Sequence, residues 1–424
     1  LCASRAPATP AAVTKQQFVV ELGRAMHALG SPAYRVEDTM AACCSALGLE
    51  GSFFATPTAI FLALGEPGEE PRTTLVRVFP GDHDLARLAA LYAIRDDVVA
   101  GRTPPHEGLL RVRAVLATNR RLSAWLLIVA QAIVGAGAAL LLGGGVREAM
   151  VAGGAGALAG SIAAFARWHP VLDDVQAALT CAAVAFVVRC AAVVWPLDVL
   201  RTTIAAIIVL LPGLSFTTAL AELAMRHLAA GSARLLGTLA VFVTMAIGIG
   251  IGDRCGAAVA GPLQQAPLPP GVDALGIALG LTATWLGFVV LLDANRRQAP
   301  WVLLAMAFGY GGARLGGVAF GNELGPVLGA FAVTVLGNLH SRWLRQPAAV
   351  VRTPGLLLLV PGSLGLSGLT TAISGQFGLS GESLFRMLLV GGAIVAGLLF
   401  GGVLVPPPLD VEPDGRARAL QRSR

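Results

Sequence analysis

The residues best placed to do chemistry in this chain are hydroxyls that follow two Pro-Gly steps inside apolar runs. Ile207-Ile208-Val209-Leu210-Leu211-Pro212-Gly213 is followed by Ser215, Thr217 and Thr218, and Leu356-Leu357-Leu358-Leu359-Val360-Pro361-Gly362 by Ser363, Ser367, Thr370 and Thr371. Pro212 and Pro361 stand 149 residues apart, and at the same spacing Gly248-xxx-Gly252 recurs as Gly397-xxx-Gly401. Proline and glycine remove a backbone hydrogen bond and loosen a helix, and in lipid the freed groups need partners. A lone Pro-Gly is most often a kink. A matched pair in corresponding halves is the sequence mark of a transporter's solute site. The hydroxyls either hold a polar solute or bond back to the preceding turn of their own helix. Candidate solute contacts are therefore Pro212, Gly213, Ser215, Thr217, Thr218, Pro361, Gly362, Ser363 and Ser367.

Charges inside or beside apolar spans are candidates for carrying a coupling proton. Asp173, Asp174, Glu222 and Glu323 are the ones singled out, and Arg189 lies about twelve residues into a span. Any one of them also has a bland reading, as a side chain that snorkels to the headgroups. Outside the spans, Arg35, Glu37 and Asp38 share one segment; adjacent Glu37 and Asp38 point to different helix faces and imply no catalytic carboxylate pair. Thr56-Pro57-Thr58 interrupts a strand-like stretch, as an exposed bulge with a binding role or as a strand end. No GxSxG, HExxH, Walker A or GxGxxG motif is present, which weakens the hydrolase, ATPase and dehydrogenase readings. The six cysteines show no CxxC or Cys/His spacing, so reduced thiols, no metal and no cofactor are expected.

What positions these residues is a membrane. The composition is 55% hydrophobic and 13% charged, with mean hydropathy +0.72, and the apolar runs are long enough to cross a hydrocarbon core of about 30 Å. From Leu122 onward ten spans are expected, at 122–142, 149–166, 177–195, 198–213, 234–252, 272–292, 300–319, 325–340, 354–370 and 384–405. The fourth and ninth are the broken ones, each followed by a shorter amphipathic helix. Of the 31 basic residues only Lys15 is a lysine. The arginines flank spans and no aromatic-basic groove accompanies them, so nucleic acid is not an expected partner. Their excess before the first span, in every second connection and in the tail places both termini in the cytoplasm. Five spans per half is an odd number, so the second half enters the membrane from the opposite side. The expected fold is a polytopic α-helical membrane protein of ten helices in a 5+5 inverted repeat.

Residues 15–118 carry most of the charge and no span. Apolar residues at helical spacing predict helices at about 15–29, 34–47, 84–100 and 105–116, with strands at 52–64 and 73–79. The expected organisation is a flexible N-terminus (1–14), a cytoplasmic α+β domain (15–118), a first membrane repeat (119–253), an extracytoplasmic connection (254–271), a second repeat (272–405) and a basic cytoplasmic tail (406–424). Residues 1–14 show no apolar core of a signal peptide.

The segments Gly30-Ser31-Pro32-Ala33-Tyr34-Arg35-Val36-Glu37-Asp38, Ala46-Leu47-Gly48-Leu49 and Ala55-Thr56-Pro57-Thr58-Ala59 resemble the N-terminal domain of the threonine/serine exporter (ThrE) family. The membrane part is similar to it through Leu211-Pro212-Gly213, Gly321-Asn322-Glu323-Leu324-Gly325 and Leu359-Val360-Pro361-Gly362-Ser363, and Asn322 joins the candidate contacts. The likeness covers roughly residues 15–405. It implies export of threonine and serine driven by the proton motive force, through ten spans of the cytoplasmic (inner) membrane, with a cytoplasmic N-terminal domain. Split relatives, linked to succinate export, make dicarboxylate export the alternative, which should require an additional cation in the site. A membrane-anchored hydrolase or sensor is the less favoured third reading, since ten spans exceed what an anchor needs. The expected partners are a small solute and the lipid bilayer; the sequence leaves a homo-oligomer open.

Overall fold

The computed structural model describes residues 10–79, 81, 84–117, 122–263 and 272–407. Four helices, α1 (Pro10–Ala28), α2 (Ala33–Leu47), α3 (Leu85–Val99) and α4 (Pro105–Ala117), accompany an antiparallel sheet of β1 (Glu50–Thr56), β2 (Ala59–Gly65) and β3 (Arg72–Arg77) in the order β1-β2-β3. Phe18, Leu22, Met40, Ile60 and Leu91 are among the buried side chains of their common core. Helix α1 starts inside the stretch expected to be flexible. The single strand expected over 52–64 is in fact a hairpin, with Thr56 paired to Ala59. Pro57 has no N–H to give a ladder, so Pro57-Thr58 becomes the turn. The Thr56 hydroxyl closes it, accepting from the Ala59 N–H and donating to the Ala59 carbonyl, both at 3.1 Å. Thr56-Pro57-Thr58 thus ends a strand.

The remaining helices are α5 (Ala124–Leu141), α6 (Val146–Ala166), α7 (Gln176–Val194), α8 (Val199–Ala206), α9 (Gly213–Ala224) and α10 (Leu228–Ala260), then α11 (Ala274–Leu291), α12 (Ala299–Phe320), α13 (Pro326–Leu344), α14 (Ala349–Leu359), α15 (Gly362–Ile373) and α16 (Phe377–Leu404). Among the described residues eight helical segments are long and apolar enough to cross a membrane, or nine if α8 and α9 count as one bent span. Their outward faces carry exposed Trp125, Phe165, Phe308 and Phe400, as a lipid-facing surface does. The expected ten spans are therefore not all met on these terms. The shortfall falls on α13, whose second half carries Asn338, His340 and Arg342.

Glycine sets the tightest packing. A Cβ on Gly248 or Gly252 of α10 would strike the carbonyl oxygens of Ala178 and Ala182 on α7, and one on Gly397 of α16 would strike that of Val327 on α13. A Cβ on Gly401 would lie 3.0 Å from the Phe331 carbonyl oxygen. Only small residues let backbones approach this closely. The partners Ala178 and Ala182 recur as Val327 and Phe331 at the same 149-residue shift as the glycines themselves. Gly156 and Gly160 seat α6 on α5 in the same way, and Gly280 seats α11 on α5; Gly276 instead faces Val272 of its own segment.

Candidate functional site

Both Pro-Gly steps break their helix, and with matching backbone geometry. Leu211 and Val360 are extended (φ −63°, ψ 123° and φ −62°, ψ 134°), and Pro212 and Pro361 follow at φ −79° in each case. They differ in consequence: α8 and α9 meet at 62°, whereas Ala349–Ile373 crosses its break without a bend beyond 40°. The two breaks touch. A Cβ on Gly213 would strike the Val360 side chain and lie 3.3 Å from Gly362 Cα. One on Gly362 would lie 3.3 Å from Leu211 Cβ and 3.5 Å from Gly213 Cα. The main chains of the two segments therefore come close at these glycines, with Val360 and Leu211 packed against them.

Most hydroxyls bond back to their own helix. Thr217 donates to the Gly213 carbonyl (3.2 Å), Ser367 to that of Leu364 (2.9 Å), Thr370 to that of Leu366 (3.0 Å) and Thr371 to that of Ser367 (2.7 Å). This is the bland role expected of Ser and Thr in an apolar helix. Among the described residues Ser215, Thr218 and Ser363 show no such bond. Thr218 lines a large cavity and Ser363 a small one; Ser215 and Ser367 line neither.

Three of the cavities among the described residues lie along these helices, one of them at the breaks. The largest, about 370 Å³, opens between the N-terminal α/β part and the membrane helices. Tyr34, Arg35, Tyr92 and Arg95 form one wall, Thr217 and Thr218 lie beyond the first break, and Arg342, Arg345 and Arg352 complete the lining. The second, about 250 Å³, is bounded by Thr203, Ile249, Asp253, Arg254, Thr370 and Thr371. Helix α10 starts at the α/β part, where Ala230 joins its core. Residues 249–254 lie roughly 30 Å further along that helix at 1.5 Å per residue, so the two cavities open at opposite ends of the helices. The 149-residue shift carries Ala348, Ala349, Arg352 and Leu398, which line the first, onto Val199, Leu200, Thr203 and Ile249, which line the second. In the other direction it carries Ala221 onto Thr370. The third cavity, about 110 Å³, lies at the breaks, with Leu211, Val360 and Gly362 in its wall and Tyr310, Thr284 and Ser363 as its polar groups.

Glu222 is fully buried. Its carboxylate accepts from Arg234 Nε (2.9 Å) and Nη2 (3.0 Å) and from the Ala33 backbone N–H at the start of α2 (3.0 Å). The residue singled out as a proton carrier is thus a clasp holding the α/β part to α9 and α10. Beside it, Glu37 accepts from the Ala55 N–H (2.7 Å) and faces His227 Nδ1 at 3.6 Å. Burial pushes the Glu37 carboxyl above its ordinary value. Burial likewise holds His27 below 6.5, against the raising effect of the Thr56 carbonyl that its Nε2 meets at 2.9 Å.

The other sequence candidates lie elsewhere. Asp173 and Asp174 are exposed between α6 and α7. Asn322 is exposed on the α12–α13 turn, and Glu323 beside it is 3.6 Å from Arg386. Arg189 is buried, 3.5 Å from Asp253, and donates to the Gly261 carbonyl at 3.0 Å. The described residues hold no cluster of three or more His, Cys, Asp or Glu fit for a metal. Asp38 lines none of the three cavities. Sequence reasoning missed Tyr34, Tyr92 and Arg95 as cavity residues and took Arg352 for a topology marker. The available signal was that Arg352 stands at the repeat position of Thr203, inside the half that carries the second break.

Family comparison decides the membership. A threonine/serine exporter family model matches residues 17–254, and a second, described as threonine/serine exporter, ThrE, matches residues 278–404. The chain belongs to the ThrE family. It is also similar to pheromone-regulated membrane protein 10 of Candida albicans, 25% identical over 386 residues, covering 84% of this chain and 34% of that protein. The namesake in Debaryomyces hansenii is 24% identical, with 85% and 37% covered. An uncharacterized protein of Schizosaccharomyces pombe is 23% identical, with 84% and 48% covered. This ThrE chain spans a third to a half of the length of these relatives. No solved structure matches it.

Proposed function

We propose that this protein is a secondary active exporter of small hydroxylated amino acids, threonine and serine first, coupled to protons and built from two inverted halves. Both termini and the α/β domain face the cytoplasm in this reading. The observation that carries it is the pair of cavities at opposite ends of the helices, five of whose lining positions exchange under the same shift that exchanges the Pro-Gly breaks. Two such vestibules at opposite ends of the helices, with the break pair between them, are what alternating access to a midplane site requires. A zwitterion suits the junction: the N-termini of α9 and α15 present unpaired N–H groups to a carboxylate, and unwound carbonyls near Leu211 and Val360 suit an ammonium. The family membership supports an exporter over an anchored enzyme.

The test is counterflow of radiolabelled threonine, serine and succinate in proteoliposomes, with and without a proton gradient. Uptake of threonine and serine that depends on the gradient is expected. If no solute moves while the purified protein hydrolyses a peptide or ester, the reading fails. One observation favours dicarboxylate export as a second reading: Arg352 beside Thr353 supplies the additional cation that a second carboxylate needs. Succinate counterflow exceeding that of threonine would decide for it.

A further inference from the structure

The two vestibules share lining positions but not charge. In the larger one Arg342, Arg345 and Arg352 stand where the shift places Val193, Pro196 and Thr203 on the other side. The α/β domain adds Arg35 and Arg95, and the one carboxylate among the described lining residues is Asp96, 2.7 Å from Arg95. The smaller vestibule balances Asp253 against Arg254. Of Arg342, Arg345 and Arg352, the last is the one on α14, the helix that leads to the second break, beside Thr353. Its Nη2 donates to Asn338 Oδ1 at 2.6 Å, and its Nε, shielded from solvent against Gly337 of α13, has no hydrogen-bond partner among the described residues. A carboxylate is the group that pairs best with a guanidinium in a cavity lining. Like charges gathered around a low-dielectric cleft raise the local concentration of the opposite charge.

We propose that the larger vestibule is the loading site for the solute's carboxylate, with Arg352 as the binding residue. The charge difference between Arg352 and its repeat mate Thr203 then makes the protein bind its solute more tightly from the α/β-domain side than from the other. This rests on the exporter reading and adds to it a direction of loading and the residue that sets it. The carboxylate is common to an amino acid and to a dicarboxylate; the choice of labelled solute separates them.

The experiment uses inside-out and right-side-out membrane vesicles from cells making the full chain, with labelled threonine, serine and succinate measured in parallel. The wild type should show the lower apparent Km in inside-out vesicles. Arg352→Thr, which copies the mate, should raise that Km roughly tenfold, the size of a lost charge-assisted hydrogen bond, and leave the right-side-out Km within about twofold. If Arg352→Thr does not accumulate in the membrane, Arg352→Lys decides. It keeps the charge and loses the fork, so the inside-out Km should rise several-fold while the right-side-out Km holds. Equal wild-type Km values at the two faces, or equal changes at both faces in the variants, overturn the inference and leave the exporter reading standing. Wild-type vesicles that move none of the three solutes overturn both.

Discussion

At the scale of single residues the breaks are not equivalent. A methyl at Gly213 runs into Val360, whereas one at Gly362 finds Leu211 and Gly213 at 3.3 and 3.5 Å. Gly213→Ala should therefore cost about 1–3 kcal/mol of overpacking and depress transport more than Gly362→Ala, as counterflow of the two variants at equal expression would show. Glu222→Gln should be more damaging to stability, because Arg234, its side chain 12% exposed, then loses its charge partner, a loss of about 3 kcal/mol. Glu222→Leu combined with Arg234→Met should recover most of it, and melting of the full chain in detergent is the measurement. If Glu222→Gln melts like the wild type, the clasp is not what holds the domain. His27 gives a pH dependence. Its folded pKa lies below the 6.5 of the free side chain, so the folded state disfavours the proton. Its share of stability is complete above 6.5 and is lost as pH falls through the folded value. His27→Gln should flatten the loss of melting temperature between pH 7.5 and 5.5.

At the scale of elements, the matched helix breaks were legible because their signals are backbone signals. Pro-Gly steps and glycine pairs report where main chains must approach or unwind, whatever the side chains around them, and both kinds recur here with their packing partners. The four N-terminal helices were legible from apolar spacing for the same local reason. Strand β1 and its hairpin were not: residues 52–64 read as one run because Phe, Ala and Ile continue across Pro57, and only the ladder reveals the reversal. The solute hydroxyls were half legible, since a Thr at this spacing says nothing about whether its own helix already satisfies it. The large vestibule was illegible, because it forms between segments more than 250 residues apart, Tyr34 and Arg352 among them. One prediction belongs here. Gly252→Val and Gly401→Val should each force α10 from α7 or α16 from α13 and destabilise by about 1–3 kcal/mol. Melting of both variants checks this; a neutral Gly252→Val would mean that the close approach is not needed.

At the scale of the whole molecule, the arginine distribution makes a claim about sides that thiols can test. Cys43 and Cys44 are buried, and burial pushes the Cys44 thiol up to about 12, so neither reports topology by labelling, before or after lysis. Cys255 is exposed, on the last turns of α10 and not in the connection that follows. An impermeant maleimide should label Cys255 on intact cells, and Cys255→Ser should abolish that signal. In the Cys255→Ser background, a cysteine placed by Glu69→Cys, exposed on the β2–β3 turn, should react only after lysis. Labelling of that position on intact cells reverses the orientation.

Through Glu222 the α/β domain is pinned to α9 and α10, beside the bent span, and through Leu85, whose N–H donates to the Leu292 carbonyl at 3.0 Å, to the second half as well. Rocking of α9 about the Pro212 break would therefore pull one of two anchors against the other and tilt the domain. A small rotation at the hinge becomes a larger arc at the hairpin tip, as with the pointer of a balance. A fluorophore at the Pro57-Thr58 turn and another at the far end of α13 would turn that arc into a distance, giving an optical readout of the cycle without any label in the solute path.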